Sequence, residues 1–273
     1  MLFRSGRLEI LKIHVKKTRL AASADLMAVA KLTPGMSGAD LENIVNEAAL
    51  LAVRNGKKFV DQIELSEAVD KISMGAEMKS RKISEKQKEI TAYHEAGHAL
   101  IAHFNRDADP VHKITIIPRG PALGYMRQLP EEDRYNQSKK ELLAIVAVLL
   151  GGRASEEIKF HDVTSGAAND LERATAILRA MFYQLGMGKA GLVVYKSVSD
   201  FFGQPTGIDA SDETKRALEA EVKENLDVIY KSVKDSLKKH KGKLKALVQA
   251  LLEKETLNAD EVKEILGPAE SAS

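Results

Sequence analysis

The chain has 273 residues, 44% of them hydrophobic and 29% charged, enough for one large domain or two ordinary ones with real cores. A formal net charge of +2 gives no electrostatic reason to expect nucleic acid or an anionic membrane as a partner. The sequence has no cysteine, which excludes disulfides, thiolate metal sites and cysteine nucleophiles and fits a reducing compartment.

The N-terminal part reads as a set of short helices. Residues 7–17 have helical periodicity, and 25–32 form a second, shorter helix. Pro34-Gly35 breaks the chain, after which Ser37 caps a strong helix over 39–55 that ends at Gly56. Asp61 opens a further short helix to about Ile72. Residues 74–82 are charged and aperiodic and read as a linker. No apolar core of a signal peptide follows Met1.

A second part starts at Ser84 and Gln87, a capping box opening a helix to about Phe104. Two short strands follow, 112–118 and 123–129, paired across the Gly120 turn. Ser138 caps a helix that is apolar on nearly every side (Leu142, Leu143, Ile145, Val146, Val148, Leu149) and so belongs in the centre of the fold. Its apolar run, 142–150, is far too short to cross a bilayer, so the chain as written reads as soluble. Gly151-Gly152 is expected to interrupt this helix before a separate segment over 153–159. Another helix covers 167–185, then a short strand 192–195, a long amphipathic helix over 211–239 and two shorter helices. Asn258 and Glu261 make a second capping box, and the last few residues carry no pattern.

The chemistry sits at His94-Glu95-Ala96-Gly97-His98. Two histidines four apart stack on one helix face, so both imidazoles can reach a single Zn²⁺ at about 2.0–2.1 Å. Glu95 lies about 100° further round, placed to take a proton from a water rather than to bind the metal. The helix has its own apolar stripe (Ile90, Tyr93, Gly97, Leu100, Ile101, Phe104). His94 and His98 lie on one flank of it, and His103 on the other reads as an ordinary boundary histidine. Gly97 is unfavourable by about 1 kcal/mol in a helix interior, which implies a close packing partner there.

A peptidase zinc needs a third protein ligand and an open fourth position. Without cysteine the third must be His, Asp or Glu. His112, His161, Glu156, Glu157 and Asp170 are all candidates, and periodicity does not choose between them.

The stretch SEKQKEITAYHEAGHALIAHF (84–104) closely resembles the peptidase domain of the FtsH family of ATP-dependent membrane proteases. So do ALGYMRQLPEED (122–133), LLGGRASEEI (149–158), TSGAANDLERAT (164–175) and LLEKETL (251–257), in the family's order. The resemblance implies zinc held by His94, His98 and Asp170 with Glu95 as general base. It reduces Glu156 and Glu157 to groups that support the ligands from outside. TPGMSGADLEN (33–43) and the following NEAALLA resemble the helical lid that ends the family's AAA+ ATPase module. The GxxxxGK(S/T) phosphate loop, the acidic Mg²⁺-binding strand, the arginine fingers and the family's transmembrane segments have no counterpart in these residues, so 1–76 reads as a lid without its motor. MLFRS at the start fits no family pattern and suggests a reading frame cut at its beginning. Met126 stands where the family usually has a small hydroxyl residue, and 188–191 departs from the usual turn.

The expected fold is therefore mainly α: an AAA+ lid fragment (1–76), then a helical zinc-peptidase domain (84–267) with a small β-sheet. The expected activity is zinc-dependent cleavage of unfolded or extended polypeptides, docked by β-addition to the 114–117 strand. The resemblance implies a homo-hexamer, and a place on the cytoplasmic face of the cell membrane reached only through segments outside this chain. Two rivals are a catalytically inactive helical interaction module of the same family and a zinc hydrolase acting on small molecules.

Overall fold

A computed structural model describes residues 3–78, 83–120, 122–130, 132, 134, 136–195, 197–199 and 205–268, with the backbone alone for 197–199 and 205–208. The chain divides into two units. The first comprises Met1–Lys82, Ile117–Gly124 and Leu129–Tyr135, and the second Ile83–Ile116, Tyr125–Gln128 and Asn136–Ser273.

The first unit is built from α1 (Arg4–His14, continued by the 3-10 turn Val15–Lys17), α2 (Leu26–Leu32), α3 (Gly38–Arg54) and α4 (Gln62–Met74). The starts of α2, α3 and α4 are set by side chains that accept otherwise unpaired N–H groups. Asp25 accepts from the Met27 amide, and Ser37/Asp40 and Asp61/Glu64 form complete capping boxes. Gly35 and Gly56 turn the chain at positive φ, as the sequence requires. Leu11, Val29, Leu41, Ile44, Val45, Leu65 and Val69 fill one core. The linker expected over 74–82 begins later than predicted: Met74 is still helical, and Glu77 pairs with Arg119 as an isolated β-bridge. Residues 79–82 lie outside the described residues.

The second unit starts with α5 (Glu85–Phe104), whose N-cap Ser84 accepts from the Gln87 amide. Strands β1 (Val111–Thr115) and β2 (Tyr125–Gln128) pair antiparallel, Ile114 opposite Met126 and Thr115 opposite Tyr125. Helix α6 (Lys139–Phe160), α7 (Ala168–Arg179), strands β3 (Ser197–Ser199) and β4 (Pro205–Ile208), and α8 (Asp212–Lys239) follow. Then come α9 (Lys241–Lys254), β5 (Thr256–Asn258) and α10 (Ala259–Leu266). The sheet order is β2-β1-β5, and β3 and β4 form a separate two-stranded sheet among the described residues. One core joins Leu100, Ile114, Val146, Leu150, Leu178, Phe182, Leu237, Leu247 and Leu257. The described residues are mainly α-helical with a small antiparallel sheet. No helix among them is long and apolar enough to cross a membrane.

Three expectations are corrected here. Gly151-Gly152 does not interrupt α6, which runs unbroken through both glycines. They are small because α5 crosses α6 there: a Cβ on Gly97 would lie 2.4 Å from the Gly151 carbonyl oxygen, and one on Gly151 would lie 2.7 Å from that of Gly97. Residues 192–195 are not a strand. Leu192 is fully exposed, and the Tyr195 amide donates instead to the Tyr183 carbonyl at 2.7 Å. Finally, β1 is the central strand, flanked by β2 on one side and β5 on the other, so both its edges are used and no peptide can add to it. Strand β5 escaped sequence reading because three residues between two helices carry no alternation. The helix expected over 167–185 begins with a 3-10 turn at Ser165–Ala167 and ends as a π-helical turn, Ala180–Gln184.

Candidate metal centre

The close crossing of α5 and α6 brings the two histidines of α5 against Gly152 of α6. A Cβ on Gly152 would fall 2.6 Å from His94 Cε1 and Nε2 and from His98 Nε2, so only glycine leaves room for both rings. Ser155, one turn later, donates its hydroxyl to the Tyr93 carbonyl and locks the crossing. The imidazoles meet edge to face, with ring centres 4.6 Å apart.

Each ring is held through Nδ1. His94 Nδ1 lies 2.5 Å from Glu156 Oε1, and His98 Nδ1 lies 2.7 Å from the Val148 carbonyl oxygen. Carboxylates and carbonyls only accept, so Nδ1 carries the proton in both rings. In the neutral imidazole this leaves the Nε2 lone pairs free, and both point to one place. Asp170 comes to the same place from the first turn of α7, its Oδ2 3.1 Å from His94 Nε2 and 3.3 Å from His98 Nε2. Among the described residues, His94, His98 and Asp170 form a donor group that could hold a metal ion, all three ligand atoms lying within 4.8 Å of one another. Two imidazole nitrogens and one carboxylate oxygen suit Zn²⁺.

Glu156 joins the parts of the cluster. One oxygen takes the His94 Nδ1–H, while the other accepts the Thr164 amide at 3.0 Å. Thr164 begins the loop that delivers Asp170, and its hydroxyl caps the Gly166 amide at 3.2 Å. A single carboxylate thus fixes a ring orientation and the position of the third donor. Periodicity could not find this role, although the resemblance had already placed Glu156 near the ligands. Glu157, its neighbour, does not share it. Its carboxylate accepts from the Tyr230 hydroxyl at 2.5 Å and from Lys234 Nζ at 3.1 Å, on the α8 side of α6. The expectation that Glu157 supports the ligands is corrected accordingly: adjacent residues lie about 100° apart on a helix, so only one of the pair can face the histidines.

The remaining candidates lie elsewhere. His161 is the left-handed C-cap of α6, and His112 sits on β1 outside the three-donor group. His103 Nε2 lies 2.8 Å from the Gly267 carbonyl oxygen, the boundary role expected for it.

The charges are consistent with a cation site. Burial disfavours the charged His94 ring, but its hydrogen bonds to Asp170 and Glu156 outweigh that and hold the pKa at about 10. Burial also opposes ionisation of Asp170, yet the two histidines keep its carboxyl well below the usual range. Three acidic groups around one ring mean that positive charge is favoured there, whether proton or metal. Glu95 is buried, and burial pushes its carboxyl up, with His94 and His98 pulling the other way.

Two imidazoles one helical turn apart, with a buried glutamate beside the first, place the protein among the HExxH metallopeptidases. Within that class the chain belongs to peptidase family M41, whose family model matches residues 81–265. The AAA+ lid domain model matches residues 23–67. The chain is 48% identical over 267 residues to the ATP-dependent zinc metalloprotease FtsH 3 of Petrotoga mobilis, covering 96% of this chain and 41% of that protein. It is 47% identical over 267 residues to the ATP-dependent zinc metalloprotease FtsH of Thermotoga maritima (96% and 44%). To the protein of that name from Helicobacter pylori it is 44% identical over 274 residues (98% and 43%). The chain spans about two-fifths of the length of these relatives.

Proposed function

We propose that the chain carries the zinc endopeptidase part of an FtsH-like ATP-dependent protease, with residues 84–267 as the peptidase domain and 1–76 as the lid of an ATPase module. His94, His98 and Asp170 are the zinc ligands and Glu95 the general base. The observation that carries this reading is the convergence of both histidine Nε2 atoms and Asp170 Oδ2 on one point, with both Nδ1 atoms already committed.

Zinc at this place would polarise a peptide carbonyl and lower the pKa of a water to about 7. The chain's own groups do the rest. Glu156 and the Val148 carbonyl hold the imidazoles in the tautomer that presents Nε2. The Glu95 carboxylate takes a proton from the attacking water and returns it to the leaving amide nitrogen. Its burial raises its proton affinity toward working pH, which suits both halves of that exchange.

The substrate is an extended polypeptide. Strand β2 lies at the end of the sheet order β2-β1-β5, and an end strand is where an extended chain can add. In the full-length protein the assembly is a homo-hexamer at the cytoplasmic face of the membrane, attached through segments outside this chain. Digestion of casein with and without a zinc chelator tests the reading. Cleavage that stops on chelation and returns with added Zn²⁺ supports it, whereas chelator-insensitive cleavage, or none from zinc-loaded protein, contradicts it.

A further inference from the structure

We infer that a groove between the loop after α7 and the first half of α8 is an accessory substrate site, which takes a lysine or arginine of the polypeptide together with an apolar neighbour. This rests on the reading of the chain as an enzyme that cleaves extended polypeptides.

The groove lies wholly within the second unit and has a volume of about 640 Å³. One wall is the loop, through Lys189, Ala190 and Tyr195, and the other is α8. Leu218 and Val222 turn α8 toward the core, so Glu213, Ala217, Ala220 and Glu224 fall together on its outer face. Ala217 and Ala220 are exposed and carry only methyl groups, which leaves a shallow apolar strip between the two glutamates. The loop includes residues 188–191, where the sequence departs from the family's usual turn. It packs tightly on α8 there: a Cβ on Gly188 would come 3.0 Å from Glu221 Oε2 and 3.1 Å from Phe182 Cδ1. Further along the same loop Leu192 is fully exposed, with Val193 and Val194 44% and 57% exposed beside it.

The charges choose the occupant. Glu213, Glu221 and Glu224 line the groove against one cation, Lys189. That cation is already engaged, because its Nζ donates to Glu224. Glu221 is only 8% exposed, and its Oε1 accepts the Lys189 amide at 2.8 Å. Its Oε2 accepts no hydrogen bond from the described residues, and Glu213 has no partner among them. A carboxylate withdrawn from water with acceptor capacity unused favours a donor brought by a ligand. Phosphate-bearing partners are repelled here, whereas an ammonium or guanidinium is attracted and its apolar neighbour finds the alanine strip.

The groove is also within reach of the metal centre. Asp170 stands at the start of α7, and Tyr183, whose carbonyl accepts the Tyr195 amide at 2.7 Å, lies in the π-helical turn that ends it. The helical run between them is about 20 Å long at about 1.5 Å per residue. Roughly six extended residues cover that distance. The bland alternative is a solvated acidic face of α8 that binds nothing.

The test uses the full chain with Glu213→Lys, which reverses a charge at an exposed position, and Ala217→Trp, which fills the groove. Asp235→Lys, the same charge change on α8 outside the groove, is the control. Two unstructured peptides are compared, one with a Lys-Leu pair six residues from the scissile bond and one with Gln-Leu there. The site predicts a KM about fivefold lower for the Lys-Leu peptide with wild type and the control, and no preference with the two groove variants. Binding is read separately by fluorescence anisotropy in the Glu95→Gln chain, where cleavage does not interfere. The Kd of the Lys-Leu peptide should rise at least about fivefold with either groove substitution, and the difference should shrink with added salt for Glu213→Lys. Equal Kd values across peptides and variants overturn the inference. So does a groove whose substitutions change only self-association in sedimentation, which would make it an interface between copies. If the wild-type chain proves inactive although zinc-loaded, the peptidase reading falls, and the anisotropy still decides whether the groove binds a basic segment.

Discussion

Replacing Gly152 by alanine separates the metal site from the fold around it. The new methyl would sit 2.6 Å from ring atoms of both histidines, about 0.8 Å inside ordinary contact at 3.4 Å. Zinc ligands hold their distances to within about 0.2 Å, so both imidazoles cannot retreat that far and still bind. A disturbed outer contact typically lowers metal affinity 10–100-fold. Here the methyl displaces the ligands themselves, so Gly152→Ala should lower zinc affinity by at least about 100-fold. Alanine is favoured over glycine in a helix by about 1 kcal/mol, which offsets part of the strain of moving the two rings, so Tm in the absence of zinc should fall less than for a clash with backbone. The control is Gly97→Ala, whose methyl would strike the Gly151 backbone at 2.4 Å and so destabilise the crossing of α5 and α6 by roughly 1–3 kcal/mol. Zinc affinity is read by competition with a chromophoric chelator and Tm by circular dichroism. A Gly152→Ala protein with wild-type zinc affinity would refute the reasoning.

His98→Ala should abolish stoichiometric zinc, read by plasma emission, because two protein ligands hold zinc poorly. In the chelator titration Asp170→Asn should weaken zinc severely, and Glu156→Gln by about 10–100-fold through loss of the His94 and Thr164 contacts. Glu157→Gln, at a carboxylate that accepts hydrogen bonds from Tyr230 and Lys234 rather than from the histidines, should leave zinc affinity unchanged. A Glu157 effect as large as that of Glu156 would contradict the assignment. Cleavage of flexible polypeptides should not respond to ATP, since these residues contain no phosphate loop. ATP-stimulated digestion of a tightly folded protein by this chain would contradict that.

Much of this was legible in the residues. The capping serines and aspartate mark four helix starts, and histidines four apart imply one shared face. Gly97 announced a close crossing, though not its partner. What stayed hidden was relational. Gly151-Gly152 looked like a helix break because local propensity disfavours glycine, while the reason for both is the neighbouring helix and its imidazoles. The strand 114–117 looked available because β5 has too few residues to show a period. Glu156 and Glu157 are the same residue type at adjacent positions, so only the rotation of α6 could tell which one faces His94.

The general-base role of Glu95 is the sharpest point of contact between geometry and activity. Casein hydrolysis by Glu95→Gln, with zinc measured on the same sample, tests it directly. The prediction is full zinc occupancy with turnover lowered about 10²–10⁴-fold. Near-normal turnover by the zinc-loaded variant would contradict the account.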